Sequence, residues 1–423
     1  MKSFVVSSAT VLLALLLTTA AILRSHSQAP VFAASGQASG STSSDSVYEN
    51  GVYRPSGPCS PPDRIVGSLE ETAWRLWVAS TCPVNQSVYP YVVWENWIEQ
   101  AQMYPLNPAN VLQIPAALAP STSASRSLQP SQLAIAKNPG LLTMVPGLLG
   151  AANQNCNTAQ APPQNQPKLI ICEEARLNGS AQDYITGTAM WNRNGQKQIA
   201  ASQGVIQFPS PSIEIKADWI ELSTIGFDCT NLPASLTQSV HVETINGNCF
   251  AMVGLHLISK LVNQWIWATF EPQNLTTNPF RCQVLGCSDS FGSVPARTRG
   301  SFTTLTPRLQ TLMNNAQLAP EWKNYRLDGV QIEFVHPDGK PTLLGNSIIE
   351  GENVGMNLKQ ASCISCHSLS SVKSDGTDGI TLLTSNPVGE PEPLPSKDWI
   401  RRDFVWSLLE ACPAGTSTQN CTP

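Results

Sequence analysis

The chain has 423 residues, of which 42% are hydrophobic and only 13% charged. That length suffices for two or three domains with real cores, but the charge is about half the usual share of roughly 25%, which excludes long solvated helices. The 33 prolines point to a loop-rich body, and a net charge of −5 argues against a nucleic-acid partner.

The first element in chain order is a targeting segment. Lys2 is followed by an uncharged run from Phe4 to Leu23, and Val31-Phe32-Ala33 has the small-x-small character of a cleavage site. Residues 1–33 are therefore expected to be a signal peptide. Left uncleaved, residues 4–23 would be long enough for an N-terminal membrane anchor. In both cases the rest of the chain is expected outside the cytoplasm, periplasmic or in another extracytoplasmic compartment. Loss of Lys2 and Arg24 with the signal would leave it more acidic still.

Residues 34–60 are rich in Gly, Ser and Thr, the composition of a flexible linker. Leu69 to Trp77 predicts a short helix. A second is predicted over Val93 to Gln100, where Trp94, Trp97 and Ile98 would share one face; core packing is the reading for these tryptophans. Residues 105–165, rich in Pro, Ser, Ala, Asn and Gln, read as a long irregular excursion. Strand signals follow. Ile213, Ile215, Ala217 and Trp219 alternate with Glu214, Lys216 and Asp218, Asn246-Gly247 is a turn between two strands, and Trp265 to Phe270 is an aromatic strand. Gln331 to Val335 predicts one more strand, and Asn346 to Glu350 opens the approach to the motif described below. A Pro- and acid-rich loop spans 386–395. Ser396 or Asp398 would cap a terminal helix over Trp399 to Glu410. The expected class is α+β: a loop-rich upstream domain with antiparallel strands over 61–310, then a smaller, helical C-terminal domain over 311–423.

Twelve cysteines in an exported chain read chiefly as disulfides. Cys282 and Cys287 could close a short local loop, and Cys412 and Cys421 could pin the tail. Two cysteines stand apart, in Cys363-Ile364-Ser365-Cys366-His367. Two thiols three positions apart lie on one side of a helical turn, and the histidine beside the second follows them. This is the spacing at which one porphyrin edge is met by two thioether bonds while the imidazole takes the iron. A local disulfide, a thioredoxin-like redox pair and half a zinc site are the rival readings. The flanks lack the strand-then-helix context of the second, and no other Cys-x-x-Cys completes the third.

On this motif the chain resembles the c-type cytochromes over about residues 345–412, including an expected preceding helix with Gly355 and an aromatic C-terminal helix. The resemblance implies a small α-helical cytochrome c-like segment with one covalent haem c, bound through Cys363 and Cys366, with His367 as axial iron ligand. Lys359 stands where such domains place an aromatic residue. No Met or His follows His367, whereas the family supplies its distal Met from that side. A sixth ligand would therefore come from upstream. His256 and Met252 are the foremost candidates, ahead of His241, Met313 and His336, while Met356 lies on the proximal side. The upstream stretches Met252 to His256 and Trp265 to Glu271 are similar to large bacterial proteins ending in a single haem c motif, a likeness that carries no activity.

Arg401 and Arg402 could pair with haem propionates, but a solvated helix face is the preferred reading. Asp375 to Gly379 has a faint look of a calcium loop, but reads better as a polar turn. No phosphate-binding Gly loop, His-Glu-x-x-His or Gly-x-Ser-x-Gly is present. Three functions are open at this level. The first is one-electron transfer with a redox partner protein or a small redox molecule. The second is a peroxidase- or oxidase-like haem enzyme with an open distal side. The third is a ligand-binding or sensing module in which haem is a staple or reporter.

Overall fold

The computed structural model describes residues 47–49, 52–54, 57–84, 92–104, 171–245, 248–273, 278–298, 303–347, 349–350, 358–383 and 387–413. The expected signal segment, the excursion over 105–165, the Asn246-Gly247 turn, Gly355 and Met356 lie outside the described residues. None of the described helices is long and apolar enough to cross a membrane.

Helix α1 (Leu69–Thr81) begins where Ser68 caps it, its hydroxyl accepting the Glu71 N–H at 3.1 Å. Glu70 and Glu71 lie in the first turn, where they complement the helix dipole. The helix buries Trp74 and Trp77 and ends at Cys82, which is bridged to Cys59. Within the expected linker, β1 (Val47–Glu49) and β2 (Val52–Arg54) form a short antiparallel hairpin.

The second predicted helix does not form. Val93–Asn96 is a 3-10 turn, Ile98–Glu99 is strand β3, and only Gln100–Met103 is a helical turn, α2. Trp94 and Ile98 consequently pack into different clusters instead of sharing a face.

The body is a seven-stranded antiparallel sheet. It contains β3, β4 (Ile171–Leu177), β5 (Ile213–Glu221), β6 (Val242–Ile245), β7 (Asn248–Ser259), β8 (Ile266–Pro272) and a last strand, Tyr325–Gln331. Its order runs from Tyr325–Gln331 through β8, β7, β5 and β4 to β3, with β6 also paired to β7. That last strand comes from beyond the expected domain boundary at 310/311; it begins six residues before the strand predicted at Gln331 to Val335 and overlaps it only at Gln331. Short pairs surround the sheet: β9 (Cys287–Ser288) with β11 (Arg297–Thr298), and β10 (Ser293–Val294) with β12 (Thr304–Leu305). The sheet strand Tyr325–Gln331 is thus β13. Helices α3 (Gly179–Gly187), α4 (Arg193–Ala201), α5 (Ala234–Thr237), α6 (Asn278–Leu285) and α7 (Pro307–Asn315) complete the upstream part.

Strand alternation gives the sheet two faces. One carries Ile215, Ala217, Trp219, Met252, Leu255, Leu257 and Phe270 into an aromatic core beneath α1, where the Trp77 and Phe270 rings stack at 4.4 Å. The other carries Glu214, Lys216, Asp218, His256, Thr269 and Glu271, and is covered by the C-terminal part of the chain. Strand β5 is therefore buried on both sides, despite its period of two. Gly254 is one point of close approach: a Cβ there would lie 3.1 Å from both Asn346 Oδ1 and Ile349 Cγ1.

The α+β class is that expected, but the helical cytochrome-like segment is not. Among the described residues after α7, the only α-helix is α8 (Cys363–His367), and it has five residues. Apart from β13, the regular structure there is mainly 3-10 turns and a two-stranded ribbon, β14 (Ser371–Lys373) with β15 (Trp399–Arg401). The predicted terminal helix starts instead as β15, passes through Asp403 and Phe404 at φ +50° and +72°, and ends in a 3-10 helix, Trp406–Glu410. The helix-like spacing of apolar residues is overridden because this segment is buried on several sides at once.

Candidate functional site

Local hydrogen bonds dock the motif onto the end of β13. Gln331 accepts the Ile364 N–H at 3.1 Å and donates to Ser362 Oγ at 3.0 Å. Ser362 and Ser365 hydroxyls lie 2.9 Å apart, and Cys363 Sγ donates to Leu344 O at 3.0 Å. Both motif sulfurs belong to buried residues but enter different surroundings. Cys363 and Ile364 pack with Trp267, Phe334 and Leu408, whereas Cys366 packs with Leu369, Leu383, Trp406 and Leu409.

His367 Nδ1 lies 2.7 Å from Phe404 O. A carbonyl can only accept, so Nδ1 carries the proton, and Nε2 is the nitrogen with metal-binding character. The ring also lies against Trp267, centroid to centroid 4.6 Å at 60°. Trp267 is itself fixed, its indole N–H donating to Gln264 O at 2.8 Å. The Phe404 carbonyl is aimed by the two consecutive left-handed residues, a conformation costly for non-glycine side chains that persists where surroundings impose it. Those surroundings include Asp403, whose carboxylate accepts from Lys260 Nζ at 2.6 Å and Phe208 N at 2.8 Å. Burial raises the Asp403 carboxyl above its ordinary range, and the Lys260 ammonium opposes the shift.

On the sheet side of the motif, His256 Nε2, Glu350 Oε2 and Cys363 Sγ lie within 4.8 Å of one another, with His256 and Glu350 3.3 Å apart. These donors could hold a metal ion. So could Glu95, His241 and Glu243, whereas Cys282 and Cys287, which lie beside Asp328, are spent in a disulfide. His256 is thus the predicted residue that the fold brings to the motif. Met252 is not. One extra residue in β7, between the Asp218–Gly254 and Trp219–Met252 pairs, leaves Met252 on the aromatic face while His256 points the other way. Met313 is also in the aromatic core, His241 sits beside Glu95 and Trp322, and His336 is exposed.

The arginines correct another expectation. Neither stands on a solvated helix face. Arg402 is fully buried, its Nη2 2.6 Å from Asp378 Oδ2 and its Nε 2.8 Å from Gln196 Oε1. Arg401 donates to Ser368 O and Glu392 O. The Asp375 stretch is a polar turn, in which Asp375 accepts from Thr377 N and Lys373 Nζ.

Four buried or half-buried groups beneath this region were not singled out from sequence: Glu350, Trp267, Glu214 and Glu410. Burial lifts the carboxyls of Glu214 and Glu410 to about 7. The only sequence signal for Glu214 was its place on the polar side of β5, which reads equally as a wet face.

The cysteines divide cleanly. Cys59–Cys82, Cys229–Cys249 and Cys282–Cys287 are bridged, and Cys172 and Cys412 are also disulfide-bonded. Cys363 and Cys366 belong to no disulfide. Comparison with known proteins found no matching family model, no similar curated protein and no similar solved structure.

Proposed function

We propose that the chain is an exported protein carrying one haem c, joined to Cys363 and Cys366 by thioethers and ligated by His367, and that it passes single electrons to or from a redox partner. The observation that carries this reading is the division of the cysteines. Every other described cysteine is in a disulfide, and the two set aside are those of the Cys-x-x-Cys-His motif. The donor set fits the group: two thiols, and an imidazole whose Nδ1–H is tied to a carbonyl. Such a second hydrogen bond fixes the tautomer and ring orientation of a metal-binding histidine. When bound, haem iron supplies the ferric–ferrous couple. The chain's own contribution is to hold His367 rigid through Phe404 O, to exclude water with Trp267, and to surround the motif with apolar side chains.

His256 is the sixth-ligand candidate that this reading retains. A group joined to Cys363 Sγ would have the His256–Glu350 pair as its neighbours on the sheet side. The same pair favours a second reading, a haem enzyme acting on peroxide or a small oxidisable substrate. There His256 stays off the iron and exchanges protons with the substrate, with Glu350 as its partner.

The test is production in a compartment with haem c maturation, followed by mass analysis and oxidised and reduced spectra. One covalent haem per chain and a reversible one-electron couple are expected. Protein without covalent haem would end both readings. Haem that turns over peroxide and does not exchange electrons with small redox carriers would favour the second.

A further inference from the structure

The bridge between α6 and β9 sits in a setting unlike that of Cys59–Cys82 and Cys229–Cys249. Arg281 Nη1 lies 3.2 Å from Cys287 Sγ, and Arg326 Nη2 lies 3.3 Å from Cys282 Sγ, so each sulfur faces one guanidinium. Both arginines are almost fully buried. Arg281 directs its remaining described bonds to the carbonyl oxygens of Gly345, Gly286 and Asp328 rather than to a carboxylate. Arg326 pairs with Asp328, 3.1 Å away. Asp328 is the extra residue of a bulge in β13, a device that re-aims a side chain, and its Oδ1 lies 3.8 Å from Cys287 Sγ. Glu271 lies beside it, with its carboxyl raised well above the ordinary range by burial and then by Asp328. Each sulfur of the bridge thus has a buried guanidinium within 3.3 Å. Sulfurs of those two other bridges meet backbone groups instead: Cys229 Sγ accepts from Cys249 N, and Cys82 Sγ lies 3.9 Å from Ala316 O.

From this geometry we infer that Cys282–Cys287 is a redox-active disulfide, opened by an external dithiol and held in its reduced form as a thiolate between Arg281 and Arg326. A thiolate of the dithiol, having lost its proton to solvent, attacks Cys282 Sγ. The Cys282–Cys287 bond breaks, and Cys287 leaves as a thiolate against Arg281. The second thiol of the reagent then displaces Cys282, which takes that thiol's proton, and the reagent closes its own disulfide. Two electrons pass to the protein, and one proton is released. Positive charge at the sulfurs stabilises the thiolate, so it raises the reduction potential of the pair. The bridge lies under a turn whose Gln283, Gly286 and Ser288 are exposed, so only the four residues between the cysteines need lift to admit the reagent.

The experiment equilibrates the full-length oxidised protein across ratios of reduced to oxidised dithiothreitol, quenches with acid, alkylates and maps peptides by mass. Cys282–Cys287 is expected to open first, at a ratio about tenfold less reducing than Cys59–Cys82 and Cys229–Cys249, equivalent to about 30 mV for a two-electron couple. Opening together with those two, or after them, would make it a structural staple and overturn the inference. In Arg281→Gln the midpoint of this pair alone is expected to move about tenfold toward stronger reductant; an unmoved midpoint would also overturn it. Should that variant not fold, thiolate absorbance of the selectively reduced wild type decides: titration below the ordinary thiol pKa of about 8.5 is expected, and titration at or above it defeats the idea.

Discussion

Ser407 Oγ donates to Glu214 Oε2 at 3.1 Å and lies 3.4 Å from Tyr104 Oη, joining the terminal 3-10 helix to the polar face of the sheet. Glu214 is nevertheless lifted to about 7, because burial outweighs that hydrogen bond. Between the ordinary carboxyl value of 4.5 and about 7, the folded chain holds a proton that the unfolded chain has released. This contribution is therefore complete below pH 4.5 and lost as pH rises through 7. Glu410 behaves in the same way, its carboxyl raised by burial and by Glu173. Glu214→Gln is expected to gain about 2 kcal/mol on the wild type between pH 5 and pH 8. Urea unfolding at the two pH values checks this; a gain independent of pH would contradict it.

The Lys260–Asp403 pair supports the turn that aims Phe404 O at His367. Both side chains are over nine-tenths buried. Lys260→Met should therefore cost about 3 kcal/mol, by leaving a buried carboxyl without its cation. Asp403→Asn added to it should restore part of the loss. A double-mutant cycle in denaturant measures the coupling, and additive losses would show that the pair contributes nothing of its own.

Covalent attachment can be read on a haem-stained denaturing gel. Cys363→Ser and Cys366→Ser, each leaving one thiol, should retain less haem than the wild type, and the double variant none. Cys229→Ser should retain the full amount while losing stability. Full staining of the double variant would refute attachment at the motif.

His256→Ala separates the two functional readings. With His256 as sixth ligand, the ferric wild type is six-coordinate and low-spin, and the variant becomes high-spin. This is the outcome the electron-transfer reading expects. A wild type that is already high-spin, with peroxide turnover lost in the variant, would assign His256 to proton exchange instead.

How much of this was legible in the sequence differs between levels. The sheet strands carry β-branched and aromatic runs with turn residues between them, so β5, β7 and β8 could be found nearly to their ends. Helix α1 was legible too, because Ser68 and two glutamates mark its start. The region from 399 to 410 was misread because its apolar spacing suits a helix, while contacts remote in sequence decide otherwise: Arg402 is held by Asp378 and Gln196, and Trp399 and Ile400 pair with Lys373 and Val372. The motif was legible as chemistry, since its spacing is local. Phe404, Trp267 and Glu350 were not, because nothing in their own neighbourhoods marks them; only the folding of the C-terminal part onto the sheet brings them to the motif. Met252 and His256 looked equivalent, being four positions apart on one strand, and would share a face if the strand were regular.

The residue that separates them is Val253, the unmatched one in β7. Strand geometry has a parity, and a single insertion reverses it for everything downstream. Deleting Val253 would remove the bulge and leave Met252 and His256 on the faces they now occupy, three positions apart in a regular strand. In this chain the count of positions between two side chains gives their faces only when the bulge is included, so the pairing of one strand, as much as any side chain, determines which chemistry the motif meets.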